Sequence, residues 1–309
     1  GGEALEIPAS CVNDSVAVGT GIIPVTIQLS NLNHIYDGTP KYASVTTNPP
    51  EVSVNTKYYL DSEEVASPIN AGSYSVVVET ADPGYSGSTS GTLVIAKADQ
   101  TITFGELADK TYGDAPFNIS ATASSGLPVS FTVTSGPASI SDNTVTINGA
   151  GTVTITASQA GNENYNAAPD VVRSFDVAKA NQTITFAPIG NKGYASEDFA
   201  LTATASSGLP VAFTVSAGSP CEIINGNMVH ITGLGTCTIT ATQDGNQNYN
   251  PAPPVIQSFQ VLSTPGDANG DGEINSLDIT KVVRIILKLD PVTPTADANR
   301  DGEINALDI

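Results

Sequence analysis

Gly151-Thr-Val-Thr-Ile-Thr-Ala157 and Gly235-Thr-Cys-Thr-Ile-Thr-Ala241 are near-identical, and they decide the fold. Apolar residues alternate with threonine in both, the period-2 pattern of a strand with one buried face. The likeness extends outward in both directions. Upstream, Ala121-Thr-Ala-Ser-Ser-Gly-Leu-Pro-Val129 recurs as Ala203-Thr-Ala-Ser-Ser-Gly-Leu-Pro-Val211, and Asp99-Gln-Thr-Ile-Thr-Phe104 as Asn181-Gln-Thr-Ile-Thr-Phe186. Downstream lies Gly-Asn-x-Asn-Tyr-Asn at 161–166 and again at 245–250, then Ser174-Phe-Asp-Val177 or Ser258-Phe-Gln-Val261. A more divergent copy contains Ala71-Gly-Ser-Tyr-Ser-Val-Val-Val78, Tyr85 and Gly91-Thr-Leu-Val-Ile-Ala-Lys97. Turn signals such as Ser125-Gly126, Ser135-Gly-Pro137 and Asn148-Gly149 separate short alternating segments. Three tandem units of roughly 80 residues with that punctuation predict a mostly β chain of immunoglobulin-like sandwiches. The boundaries fall at 22–97, 98–179 and 180–262, after residues 1–21, read as the remnant of a preceding module or a linker. Ala96-Lys-Ala-Asp99 and Ala178-Lys-Ala-Asn181 are joints too short for independent tumbling, so a stiff arrangement is expected.

After a linker at 263–266 the character changes. Asp267-Ala-Asn-Gly-Asp-Gly-Glu-Ile-Asn-Ser-Leu-Asp278 and Asp297-Ala-Asn-Arg-Asp-Gly-Glu-Ile-Asn-Ala-Leu-Asp308 carry oxygen side chains at loop positions 1, 3, 5, 9 and 12 and glycine at position 6. Ca²⁺ takes six to eight hard oxygen donors, and twelve-residue loops supply them at this spacing, the glycine permitting the sharp turn. The expected donors are Asp267, Asn269, Asp271, the carbonyl of Glu273, Asn275 and Asp278, then Asp297, Asn299, Asp301, the carbonyl of Glu303, Asn305 and Asp308. A single such run would pass as a solvated acidic turn; two in register, each with isoleucine at position 8, point to two calcium sites. Between the loops, Ile279, Val282, Val283, Ile286 and Leu289 share one helical face. Ser276 or Asn275 caps that helix, and Pro291 bars its continuation beyond Asp290.

Tyr36-Asp-Gly-Thr-Pro-Lys41, Ala71-Gly-Ser-Tyr74 and Lys110-Thr-Tyr-Gly-Asp114 resemble the MBG family, immunoglobulin-like repeats of large bacterial surface and secreted proteins. The resemblance spans about residues 22–262, with Gly193-Tyr-Ala-Ser196 a departure in the third repeat. Residues 267–309 resemble a type I dockerin, a small α-helical, EF-hand-like calcium module, here without the family's second helix. Dockerins bind cohesin modules of scaffold proteins in a calcium-dependent manner, as in cellulosomes that serve polysaccharide catabolism. Carried over by motif, recognition falls on Ser276, Leu277, Val283, Arg284 and Lys288 in the first loop-helix repeat and on Ala306 and Leu307 in the second. Leucine at position 11 replaces the hydroxyl residue of the best-known dockerins. With its helix in place, site 1 is expected to be the better formed.

Composition agrees with an extracellular, secreted or cell-surface setting. There are 11 basic against 31 acidic residues, net -20, which disfavours nucleic acid and anionic membranes as partners. No apolar run reaches the ~18–20 residues that cross a bilayer. Cys221 and Cys237 are expected to form a cross-strand disulfide, the alternative being two reduced, buried thiols; Cys11 stands apart. His34 and His230 are isolated, and no nucleophile or metalloprotease motif accompanies them, so the chain reads as non-catalytic. With no Trp in the sequence, sugar binding by the repeats is disfavoured, and Tyr85, Tyr165 and Tyr249 read as packing or corner-pinning residues. Both ends look cut. The alternatives are therefore a polysaccharide hydrolase with its catalytic domain upstream, or an adhesin whose repeats bind a surface ligand.

Overall fold

The computed structural model describes residues 21–194, 196–269, 274–293, 295–298 and 302–308. The reading of residues 1–21 as a remnant, and Cys11 with it, lies outside them except for Gly21. The described chain is mostly β with one α-helix, α1 (Ser276–Ile286). It divides into two compact units. The first runs to Gly105 and includes Ser120–Phe131 and Thr156–Val172; the second comprises Glu106–Ile119, Thr132–Ile155 and the chain from Arg173. Repeat 2 contributes to both.

In the first unit a five-stranded sheet has the order Asn33–Ile35, Ser88–Ala96, Gly72–Thr80, Val54–Leu60, Glu63–Glu64. Alternation sets its buried face. Tyr74, Val76 and Val78 point inward from one strand and Leu93 and Ile95 from its neighbour, where they meet Val25 and Ile27. β-Branched and aromatic side chains suit such a pleated, half-buried surface. The pair Ile102–Phe104 and Ala121–Ala123, from the start of repeat 2, also lies in this unit.

In the second unit, Lys192–Gly193, Val255–Leu262, Gly235–Thr242 and Ala212–Val215 form a four-stranded sheet in that order. Phe199–Ala200, Met228–Ile231 and Cys221–Ile224 form a three-stranded one. Val229, Ile239, Ala241, Phe259 and Val261 fill the core. Cys221 and Cys237 are bonded, with Cα atoms 5.9 Å apart. They stand on strands of different sheets, so the bond crosses the core between sheets rather than joining neighbouring strands of one sheet. The corresponding residues of repeat 2 are Ala138 and Val153: Ala138 pairs with Ile147 as Cys221 pairs with Ile231.

Candidate functional site: a calcium module and an uncovered helix

The loop sequences place their first and last acidic residues inside a small module. Its apolar centre is Ala268, Val282, Ile285 and Ala296, with Ile304 packed against them. The two loop entrances are tied by Gly266 N–H donating to the Thr295 carbonyl at 3.2 Å and by Thr293 Oγ1 donating to the Ala268 carbonyl at 2.8 Å.

Asn275 is the N-cap of α1: its Oδ1 accepts from Leu277 N–H at 2.8 Å. Asp278 completes a capping box, one carboxylate oxygen accepting from Asn275 N–H at 2.8 Å and the other from Asn269 N–H at 3.1 Å. The position-12 aspartate thus fastens the helix start to the loop it closes. In the second loop Asp308 accepts from Asn305 N–H at 2.7 Å, and Asp297 accepts from Gly302 N–H at 2.9 Å, with Gly302 at φ +87°. Asp267, Asp278 and Asp308 are 1%, 3% and 6% exposed. A carboxylate withdrawn from water is costly unless hydrogen bonds or a cation compensate it. All these donors are hard oxygens, the chemistry that Ca²⁺ requires, so the residues present fit the ion. Asp271, Glu273, Asn299 and Asp301 lie outside the described residues.

Helix α1 departs from its expected face and length. Periodicity alone groups Ile279, Val282, Val283, Ile286 and Leu289, yet the buried residues are Asp278, Val282 and Ile285. The bonds that draw Asp278 into loop 1 rotate that stripe inward, at i, i+4 and i+7. Left outside are Leu277 at 59% exposure, Ile279 at 46%, Val283, Ile286 and Leu289. The helix ends at Ile286, well before Pro291, because a Schellman motif closes it: Leu289 N–H reaches the Arg284 carbonyl and Lys288 N–H the Ile285 carbonyl. Lys288, at φ +58°, occupies the left-handed position usually given to glycine.

Among the expected partner contacts, Ser276, Leu277, Val283, Arg284, Lys288 and Ala306 are exposed. The side chain of Leu307 lies outside the described residues. Arg284 is already engaged. Its Nε and terminal nitrogen each donate to Asp290 at 2.9 Å, and Lys281 Nζ adds a third bond at 3.1 Å. Arg284 and then Lys281 hold the Asp290 carboxyl at about 2. The sequence did not suggest this brace, because the helix was expected to continue to Asp290.

No curated protein matches this chain. Among solved structures, Drosophila N-cadherin EC1-4 is 11% identical, over 70% of this chain and 68% of its own, with a TM-score of 0.24. A titin I-band fragment is 12% identical, over 78% of this chain and 100% of its own, at 0.33. Domains 1-6 of the surface layer protein SbsC are 13% identical, over 78% of this chain and 41% of their own, at 0.25. Two family models match, the MBG domain over residues 25–99 and the dockerin type I domain over residues 265–309. The chain therefore carries an MBG domain near its start and a type I dockerin domain at residues 265–309.

Proposed function

We propose that this chain is a non-catalytic segment of a secreted or cell-surface bacterial modular protein. In this reading, immunoglobulin-like repeats serve as spacers that present a dockerin, and the dockerin docks to a cohesin module in a cellulosome-like assembly. One observation carries it: the module at residues 265–309 combines withdrawn carboxylates with uncovered aliphatic side chains on its helix. Asp267, Asp278 and Asp308 gather negative charge that a divalent cation offsets, whereas Leu277, Ile279, Val283 and Ile286 offer apolar area to a protein partner.

Two Ca²⁺ ions would be held, one by Asp267, Asn269, Asp271, Glu273, Asn275 and Asp278, the other by Asp297, Asn299, Asp301, Glu303, Asn305 and Asp308. The ion supplies the positive charge that lets carboxylates converge, so binding energy becomes folding energy. Support for a better-formed first site comes from α1, whose capping box braces loop 1. Lys288, also exposed, adds a positive charge beside that apolar area.

Chelation followed by heteronuclear NMR tests the calcium half. Removal of the ion should collapse the α1 resonances and leave those of Gly72–Thr80 and Gly235–Thr242 in place; α1 signals indifferent to chelator would refute it. Surface capture on immobilised cohesin modules tests the other half. Calcium-dependent retention that Leu277→Asp abolishes supports docking, and equal retention of both proteins refutes the assigned surface.

A further inference from the structure

The turns Asn162-Glu-Asn-Tyr165 and Asn246-Gln-Asn-Tyr249 are built alike and both face the preceding repeat. In the first, Asn162 Oδ1 accepts from the N–H groups of Asn164 and Tyr165 at 2.8 and 2.9 Å. In the second, Asn246 Oδ1 does so for Asn248 and Tyr249 at 2.7 and 2.9 Å. Gly161 and Gly245 open the turns at φ +76° and +77°, and a Cβ on either would lie within 2.4 Å of a backbone oxygen. Each turn rests on a buried glutamine. Gln100 donates to Gln159 Oε1 and the Asn166 carbonyl, both at 2.7 Å; Gln182 donates to Gln243 Oε1 at 2.7 Å and the Asn250 carbonyl at 2.8 Å. Such a satisfied buried network fixes the loop's geometry.

What the turns present is the same twice. In the first compact unit, Asn164 Oδ1 accepts from Ala71 N–H at 2.8 Å and its Nδ2 donates to Asn70 Oδ1 at 3.1 Å. Tyr165 meets Tyr36 edge-on, centroids 5.3 Å apart. In the second unit, Asn248 Oδ1 accepts from Ala150 N–H at 2.9 Å, and Tyr249 meets Tyr112 edge-on at 5.4 Å. The linker lysines close each joint: Lys97 Nζ donates to the Asn162 carbonyl and Lys179 Nζ to the Asn246 carbonyl, both at 2.7 Å. Repeat 1 keeps the first bond of the turn but carries glycine at the gripping position. Asp82 Oδ1 accepts from Gly84 N–H at 2.9 Å, so glycine stands where Asn164 and Asn248 stand later.

We propose that the Asn-x-Asn-Tyr turn is an inter-repeat clasp: its second asparagine and its tyrosine grip the backbone amide and the tyrosine at the end of the preceding repeat. Repeats 2 and 3 each bring this clasp to the repeat before them, and the linker lysine, although exposed, is held to the turn by its Nζ bond while the clasp is closed, which keeps it from the extended conformation a protease needs. Limited trypsin digestion of the full chain, with the sites located by mass spectrometry, reads each joint at its own lysine. Asn164 makes two hydrogen bonds across its joint and Asn248 one, so losing either side chain should speed opening by roughly three- to tenfold or more. Asn164→Ala is therefore expected to accelerate cleavage after Lys97 by that factor and leave cleavage after Lys179 unchanged, and Asn248→Ala the reverse. Hydrogen exchange at the Ala71 and Ala150 amides should quicken in the same one-joint pattern. Acceleration at both lysines by either variant would mean general destabilisation and overturn the clasp, as would no acceleration at either.

Discussion

Replacing the Cys221–Cys237 bond by the residues that repeat 2 uses in its place gives a clean measure of what the bond contributes. The double variant Cys221→Ala with Cys237→Val reproduces the pair Ala138 and Val153, and Val153 is fully buried in its own core. Apolar packing is thereby kept close to a solution the chain already employs, and mainly the crosslink is lost. The two cysteines are 16 residues apart in sequence. Closing a loop of that size removes about 10 cal/mol/K from the unfolded chain, which corresponds to about 3 kcal/mol at 25 °C. Since 1.36 kcal/mol is one decade, amides that exchange only through unfolding of repeat 3 should exchange about a hundredfold faster in the variant. The amides of Val229, Ile239 and Phe259 are the reporters, because these residues form the core that the bond crosses. Ile155, buried in repeat 2, is the internal control and should not change. Reductant added to the wild type should reproduce the effect. Equal protection of Ile239 in the oxidised wild type and the variant would refute the reasoning, and so would parallel acceleration at Ile155.

Two other outcomes follow from the dockerin module. Asp290 titrates at about 2, below its ordinary value of 3.8, because Arg284 and Lys281 bond its charged form. A depressed carboxylate stabilises the fold above the unfolded pKa and loses that contribution as pH falls through the folded one. The C-terminal end of α1 should therefore loosen between about pH 4 and pH 2, and Asp290→Asn should remove this step from an NMR titration of the Arg284 side chain; an unchanged step would assign it to another group. The second outcome concerns the end of repeat 3. Tyr194 N–H donates to the Leu262 carbonyl as Tyr36 does to Ala96 and Tyr112 to Ala178. Leu234 stands where Ala71 and Ala150 stand, just before the glycine that opens the long strand. Tyr194 and Leu234, with Thr264, Asp267, Asn269 and Thr293, line a cavity of about 380 Å³. Calcium should slow hydrogen exchange across Gly233–Gly235 severalfold and leave Ala150 unaffected; no calcium effect at Gly233–Gly235 would detach the third end face from the dockerin module.

Strand positions were legible because burial of one sheet face imposes a period of two. Thr-Val-Thr-Ile-Thr around Ile155 and Thr-Cys-Thr-Ile-Thr around Ile239 could hardly serve another structure. Cys221 and Cys237 are expected as partners because they lie 16 residues apart in one β-rich segment, and they are bonded. Their placement on separate sheets was not legible, since sequence separation says nothing of which sheet a strand joins. The helix shows the limit of periodicity more sharply. Summing apolar residues over Ile279–Leu289 finds a stripe, but a single aspartate with two backbone donors outweighs it. Burial of the Asp278 carboxylate is tolerable only with those bonds made, so the helix turns to make them and leaves Ile279 and Ile286 outside.

Tyr165 and Tyr249 show why recurrence at one place in a repeat does not by itself say what a residue touches. The expected role is a packing or corner-pinning residue, and the backbone bridges Ala98 to Tyr165 and Ala180 to Tyr249 do fasten the turn to its own repeat's entry. The ring, however, points across the joint. A residue that served only its own repeat would need its supporting turn in all three copies and nothing more. Instead the first bond of the turn is kept in repeat 1 at Asp82, while the gripping asparagine is replaced by Gly84. Turn and grip therefore vary separately along the chain. The turn follows from local backbone geometry and can be read from Asn, Gly and Tyr spacing. The grip depends on a partner amide 93 positions earlier in the case of Asn164, and 98 in the case of Asn248, beyond the reach of any local pattern.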